Sequence, residues 1–415
     1  MWTKIICLFL CVFAVNSLNA QSPEKKALFI IVDGISADVI EKINTPHLDD
    51  IASAGGYTHA YVGGEKDAYS ETPTISAVGY NSLLTGTWVN KHNVWGNSIK
   101  KPNYQYWTLF RFLKEQYPEK ETAIFSTWLD NRTKLVGEGL EATGNLQLDY
   151  AFDGFEHDTV QFPHGNDRKY IHLIDEHVTD EAASYVKVEG PDLSWVYLEY
   201  TDDMGHQFGD SPQMYDAVEV ADDQIGRIWN AIQYREENYD EDWLIVITTD
   251  HGRDAESGKH HGGQSDRERS TWITTNAKNL NAYFKNGVPG VVSIFPTIAR
   301  HMNLEIPRAQ AMEIDGVPLT GEVSLANPTA KLENEQIELG WEAMEKKGNV
   351  KVWLSTTNHF KEGREDEYTL IGEVPLSKEK YSFDAGNKPS SFYKIVLEGP
   401  HNFVNKWVVL EEEEL

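Results

Sequence analysis

Residues 27–32, Ala-Leu-Phe-Ile-Ile-Val, are apolar without a break, and continuity rather than alternation is what a strand covered on both faces requires. The same theme returns at 122–125, 194–198 and 243–247. Between the last two, Val218, Ala221, Ile225, Ile228 and Ile232 recur at helical spacing, which predicts a helix laid along a sheet. Strands alternating with helices predict an α/β fold with a mostly parallel central sheet flanked by helices. Near residue 322 the pattern changes. After Asn327-Pro328 the segments 350–354, 368–374, 381–383, 392–397 and 403–409 are short, rich in Val, Ile, Tyr, Phe and Trp, and separated by Gly, Pro, Asn and Asp. They predict a small C-terminal β sandwich over residues 331–415, following an α/β domain over residues 23–322. The acidic run 411–414 reads as a solvated tail.

The first twenty residues have another pattern again. Lys4 precedes an apolar run over residues 5–15, and Ser17-Leu18-Asn19-Ala20 offers a small-residue cleavage site, so the segment reads as a signal peptide and predicts an exported, periplasmic or secreted protein. The run is shorter than the roughly 20 residues a membrane span needs. Cys7 and Cys11 are the chain's two cysteines and both lie inside it, so no disulfide and no thiol chemistry is expected after its removal.

Composition narrows the partners. A formal charge of -28 over 415 residues, with no basic run, argues against a nucleic-acid-binding surface, because that mode needs cations to neutralise phosphates. A small anionic substrate requires something local and strongly positive to override this field, such as a metal ion.

In a parallel α/β sheet, ligands lie beyond the carboxyl ends of the strands. There the sequence places Asp33-Gly34 after the first run, Asp202-Asp203-Met204-Gly205-His206 after the third and Asp250-His251-Gly252 after the fourth, with Lys259-His260-His261-Gly262-Gly263 a short loop later. Singly, each is a common turn or cap sequence. Together they gather three Asp and three His on one rim, and carboxylates so close repel unless cations stand between them. Mixed imidazole and carboxylate donors favour Zn²⁺ over Mg²⁺ or Ca²⁺. A pair of such ions suits displacement at phosphorus, with a nucleophile activated by metal; Thr74 and Ser76, in the stretch 72–86, are the candidate hydroxyls.

Val32-Asp33-Gly34, Thr45-Pro46-His47-Leu48-Asp49, Ser76 through Leu84-Thr85-Gly86, Asp202-x-x-Gly-His206, Thr249-Asp250-His251-Gly252 and His261-Gly262-Gly263 follow one another in an order that resembles the alkaline phosphatase superfamily, and within it the nucleotide pyrophosphatase/phosphodiesterase branch. The resemblance runs over residues 25–320. It implies two Zn²⁺ per chain, one held by Asp202, His206 and His261, the other by Asp33, Asp250, His251 and the nucleophile. Ten residues before Gly86 it puts the nucleophile at Ser76, with Thr74 the alternative; eleven residues after Gly86 it puts a phosphoryl-binding amide at Asn97. Arg132 is the candidate for a further phosphate-binding cation. His260 beside His261, and Asp203 beside Asp202, leave a choice of ligand at each place.

The reaction implied is hydrolysis of a phosphate ester through a covalent seryl intermediate, with a phosphodiesterase or nucleotide pyrophosphatase expected and a phosphomonoesterase the alternative. A sulfatase fits less well, since Ser76 is followed by Val78 and Tyr80 where resembling sulfatases have Pro or Ala and Arg. A phosphoglycerate mutase would need a long insertion after Ser76. A non-catalytic binding protein would be expected to have lost some of the seven ligand positions, and all seven carry competent residues.

Overall fold

The computed structural model describes residues 22–387 and 389–410; the signal peptide and the acidic tail read from the sequence lie outside the described residues. Strands β1 (Glu24–Val32), β2 (Gly56–Tyr61), β3 (Thr122–Ser126), β4 (Tyr150–Phe152), β5 (Leu193–Leu198), β6 (Glu241–Thr248) and β7 (Ser270–Thr275) form one sheet in the order β2-β7-β6-β1-β5-β3-β4. The pairings among β6, β1, β5, β3 and β4 are parallel, while β7 runs antiparallel to β6, and β2 to β7. The sheet is therefore mixed, with an antiparallel edge the apolar runs do not announce: β7 reads Ser-Thr-Trp-Ile-Thr-Thr, and its threonines are nonetheless buried.

Alternate residues of the central strands enter two separate cores. Phe29, Ile31, Trp195 and Val246 join one, Ile30, Val32, Val196 and Ile247 the other. Burial on both faces is why these strands read as unbroken apolar runs. The helix Pro212–Asn238 buries the stripe Val218, Ala221, Ile225, Ile228 and Ile232 against the second core.

At the carboxyl end the three middle strands stop almost level, since Val32 pairs with Leu198 and Ile31 with Thr248. Whatever follows each strand is thus delivered to one rim.

Seven further strands follow: β8 (Leu325–Glu333), β9 (Gln336–Ala343), β10 (Asn349–Ser355), β11 (Thr369–Pro375), β12 (Lys380–Asp384), β13 (Phe392–Glu398) and β14 (Phe403–Val409). They build two antiparallel sheets, β11-β10-β13-β14 and β12-β9-β8. Two of these strands precede the first segment read from the sequence. Asn327-Pro328, which looks like a break, lies inside β8, where the register with β9 shifts between Ala326 and Thr329 and so accommodates a residue that cannot donate to the ladder. The first core continues into these sheets through Leu325, Trp341, Val352 and Ile395.

Candidate metal centre

Asp33 follows β1, Asp202 and His206 lie on the helix Tyr200–Phe208 after β5, Asp250 and His251 follow β6, and His261 comes from the loop beyond. On the helix Asp202 and His206 are four residues apart and share a face, with Asp202 Oδ2 3.2 Å from His206 Nε2. His206 Nε2 is 3.1 Å from His261 Nε2, and the latter is 3.9 Å from Asp202 Oδ1. Beside this group, His251 Nε2 is 3.3 Å from Asp33 Oδ1, 3.3 Å from Asp250 Oδ2 and 3.5 Å from Ser76 Oγ. Donor atoms around one tetrahedral ion with bonds of 2.0–2.2 Å stand about 3.3 Å apart, so both groups have the spacing of a ligand shell. The two are joined by the imidazoles of His251 and His261, stacked at 3.7 Å.

The imidazoles are oriented from behind. His251 Nδ1 donates to the Gly252 carbonyl at 2.9 Å and His261 Nδ1 to the Thr74 carbonyl at 2.8 Å, which leaves each Nε2 lone pair facing the cluster. Burial pushes the pKa of His251 well down, and the neighbouring His261 adds to this; burial lowers His261 too. Both are therefore neutral, the state a metal requires. His206 is raised by its hydrogen bond to Asp202.

Two of the three carboxylates show the complementary signature, while at Asp202 burial is outweighed by Arg253 and His206, which hold it below its ordinary value. Asp33 is pushed up to about 7 by burial and then by the charge of Asp202, and Asp250 well up by burial, then Asp33 and Asp202. Among the described residues, Asp33 Oδ1 and Asp250 Oδ2 are buried without a hydrogen-bond partner. Two buried carboxylates whose unpartnered oxygens both approach one neutral imidazole nitrogen form a donor set that fits a divalent cation and is unfavourable without one.

Ser76 opens the helix Ser76–Thr85 and is 6% exposed, with His251 Nε2 as the contact of its hydroxyl. Thr74 differs: its hydroxyl donates to the Gly263 carbonyl and accepts from the Gly262 N–H, both at 2.9 Å, so it is committed to holding the His261 loop. His260 is exposed, and Asp203 pairs with Arg168 at 2.7 Å, which leaves His261 and Asp202 as the members in the cluster. Asn97 Oδ1 accepts from the Ala77 N–H at 3.0 Å, which moors the amide beside Ser76 with its Nδ2 end to spare.

Arg132 is a correction to the sequence reading. Its Nε and Nη2 donate to Asp153 at 2.7 and 2.9 Å and its Nη1 to Glu138 at 2.5 Å, so among the described residues two carboxylates engage the guanidinium. The cation at the rim is Arg253, 1% exposed, which sequence reasoning missed although it directly follows Asp250-His251-Gly252. Tyr80 and Tyr197 were missed as well: both hydroxyls donate to Asp33 Oδ2, the second at 2.7 Å. Tyr80 stands four residues after Ser76 and so shares its helix face, a signal the sequence did carry. Elsewhere, His47, Asp222 and Asp223 also come together, but there Asp222 accepts from the His47 and Leu48 N–H groups at 3.1 and 2.8 Å and caps the helix Pro46–Ala54.

The sequence pattern of the type I phosphodiesterase / nucleotide pyrophosphatase family matches residues 27–297. A 2,3-bisphosphoglycerate-independent phosphoglycerate mutase from Mycoplasma mycoides is 28% identical over 137 residues, a third of this chain (33%) and about a quarter (24%) of that protein's length. Among solved structures, the chain is similar to a murine ectonucleotide pyrophosphatase / phosphodiesterase 5, an inactive variant in complex with AMP, at 15% identity and a TM-score of 0.48 over 68% of this chain and 96% of that one. It is also similar to an alkaline phosphatase superfamily protein from Vibrio parahaemolyticus, at 14% identity and a TM-score of 0.48 over 80% and 77% of the two chains. A putative sulfatase from Bacteroides thetaiotaomicron gives 12% identity and a TM-score of 0.49 over 89% and 86%.

Proposed function

The chain belongs to the type I phosphodiesterase / nucleotide pyrophosphatase family, and from that premise we propose that it is an exported two-zinc hydrolase of small phosphate diesters with Ser76 as nucleophile. The observation that carries the reading is the convergence of Asp33, Asp202, His206, Asp250, His251 and His261 on one rim, with neighbouring donor atoms 3.1–3.9 Å apart and the Ser76 hydroxyl in contact with His251 Nε2. Asp33, Asp250, His251 and Ser76 would hold one cation, and Asp202, His206 and His261 the other. When bound, the pair supplies the positive charge that makes a serine hydroxyl an effective nucleophile at neutral pH and offsets the charge on the departing oxygen.

The chain's own groups do the rest. Ser76 Oγ, its proton released to solvent, attacks phosphorus; a new O–P bond forms as the bond to the leaving alkoxide breaks, and that alkoxide takes a proton from water. A second water then forms its own O–P bond as Oγ–P breaks, returning a proton to Ser76. Asn97 Nδ2 donates to a non-bridging phosphoryl oxygen. Helix Ser76–Thr85 contributes the positive end of its dipole at the same place. Tyr80 and Tyr197 hold Asp33 in one rotamer.

A monoester carries one more anionic oxygen than a diester and calls for another cation. Arg132 is consumed by Asp153 and Glu138, Arg168 by Asp203, and Arg253 is buried behind Asp202, which supports the diester. Residues 23–322 act in this reading as the catalytic unit. Export rests on the N-terminal sequence pattern; among the described residues no helix is long and apolar enough to cross a membrane. The test is kcat/KM for bis(p-nitrophenyl) phosphate against p-nitrophenyl phosphate, which share a leaving group. At least about tenfold preference for the diester, some 1.4 kcal/mol in transition-state free energy, is expected, and a preference for the monoester would refute the assignment.

A further inference from the structure

The two candidate cation positions at the rim are secured by different devices. At the inner one, Asp33 takes two tyrosine hydroxyls on Oδ2, and Thr201 donates to its carbonyl at 2.6 Å. Its companions Asp250 and His251 are equally buried. At the outer one, the His206 side chain is 44% exposed and Asp202 lies in the first turn of its helix, where no tyrosine reaches it. Arg253 does. Its Nε donates to the Gly34 carbonyl at 2.8 Å, Nη2 to the Asp202 carbonyl at 2.9 Å and Nη1 to the Lys259 carbonyl at 3.4 Å, while Nη2 also pairs with Asp202 Oδ1.

One guanidinium thus ties the ends of β1 and β5 to the loop after β6. The space is shaped for it. A Cβ on Gly34, whose φ is +71°, would fall 2.5 Å from Arg253 Nη2, and a Cβ on Gly205 would fall 2.1 Å from Arg253 Cζ. Two glycines that leave room for one buried cation, every nitrogen of which finds an acceptor, describe a built cradle.

The consequence falls on Asp202. With Oδ1 engaged by Arg253, Oδ2 is the oxygen turned toward His206, and the carboxylate is not free to rotate. We infer that Arg253 is the positioning residue of the outer cation site: it orients Asp202 for an ion shared with His206 and His261, and the inner site does not depend on it. This rests on the two-cation reading above. Groups that orient a ligand typically contribute about 10–100-fold in metal affinity, which is the effect expected at one site only.

The experiment is calorimetric titration of Zn²⁺ into the metal-free full-length chain, with bound metal counted by mass spectrometry. Wild type should show two sites. Arg253→Met should weaken one by about 10–100-fold and leave the other within about twofold. Asp202→Ala should weaken the same one, and the double variant should match Asp202→Ala alone, because a ligand and the group that orients it act as a unit. Gly205→Ala keeps the arginine and suits a helix, yet its methyl group displaces the guanidinium, so the same selective weakening is expected there even if Arg253→Met does not fold. Equal weakening of both sites, no weakening of either, or full additivity with Asp202→Ala would overturn the inference. Wild-type protein that bound no Zn²⁺ would overturn the two-cation reading itself.

Discussion

Asp33 and Asp366 are both carboxylates with almost no side-chain exposure, 2% and 1%, yet burial pushes the first up to about 7, while for the second burial is outweighed by Lys394 together with the Thr357 hydroxyl and the His359 N–H, which hold it below its ordinary value. Lys394 Nζ lies 2.7 Å from Asp366 and 2.6 Å from Glu313 and is itself fully buried. Nearby, Lys91 Nζ reaches Asp315 Oδ1 and the Glu313 carbonyl at 2.6 Å and Asn405 Oδ1 at 2.8 Å, and the Trp407 ring packs between the two ammonium groups at 5.5 and 5.3 Å. This seam fastens β13 and β14 to the segment 313–315 and the helix Val89–His92 with cations the chain supplies. At the rim, Asp202 alone has such a partner, and Asp33 and Asp250 do not. At the seam each carboxylate meets an ammonium group of the chain, although Glu313 Oε2 is itself buried without a hydrogen-bond partner among the described residues; at the rim Asp33 and Asp250 have no such cation, and the absence of a lysine or arginine beside them is what separates the two clusters.

Substitutions should separate the two regions by what they damage. Ser76→Ala is expected to lower kcat by about 10⁶-fold, the scale seen when a covalent nucleophile is removed, while bound zinc stays at two per chain. Asp250→Ala should lose both activity and one zinc. Retained activity in Ser76→Ala with loss in Thr74→Ala would move the nucleophile.

Lys394→Met strands Glu313 and Asp366 without their cation and should cost about 3–5 kcal/mol of stability in urea unfolding, the scale for breaking one half of a buried pair. The folded fraction should keep its kcat/KM and its zinc. If activity fell in proportion to stability at saturating metal, the seam would not be separate from the rim.

Chelation is the inverse experiment. Removing metal should abolish turnover and lower stability by about 3–4 kcal/mol per site, roughly 5–8 kcal/mol for two, relative to protein in free Zn²⁺ at 100–1,000 times the Kd of each, through linkage of binding to folding. Lys394→Met should show the same decrement on chelation, since the two regions share no ligand.

The rim was legible in the sequence for a simple reason. Apolar runs mark the central strands, and the acid or imidazole after each is carried to the same edge by parallel pairing. The seam was not legible, because nothing adjacent in sequence marks a lysine as buried; Lys394 between Tyr393 and Ile395 is a hint only once β13 is known to be covered on both faces. Arg253 escaped for the same reason, since its role is defined by the side chains that Gly34 and Gly205 lack. The strands β2, β7 and β8 escaped because their buried positions are partly Thr or Ala, or because a proline interrupts them, whereas β9 carries a clean alternation of buried Ile337, Leu339 and Trp341 that was legible but missed.

The smallest effect tests how the seam meets acid. His92, next to Lys91, is buried and held down to about 3, chiefly by that burial. Its Nδ1 accepts from the Val94 N–H at 3.1 Å, and its Nε2 faces Ser82 Oγ at 3.0 Å, so a second proton would have to sit on the nitrogen that is already an acceptor. The unfolded chain binds that proton below about 6.5, and the folded chain does not until about 3. Between these values the unfolded state carries more protons, so stability falls as pH falls, by up to ~1.4 kcal/mol per pH unit from this group. His92→Asn keeps the acceptor for Val94 but gives up the Ser82 contact, which should cost about 1–2 kcal/mol at pH 7.5. It also removes the titration, so the gap between variant and wild type should narrow from pH 6.5 toward pH 4.5 in urea midpoints. A gap that stays constant over that range would mean His92 accepts its proton without disturbing the fold.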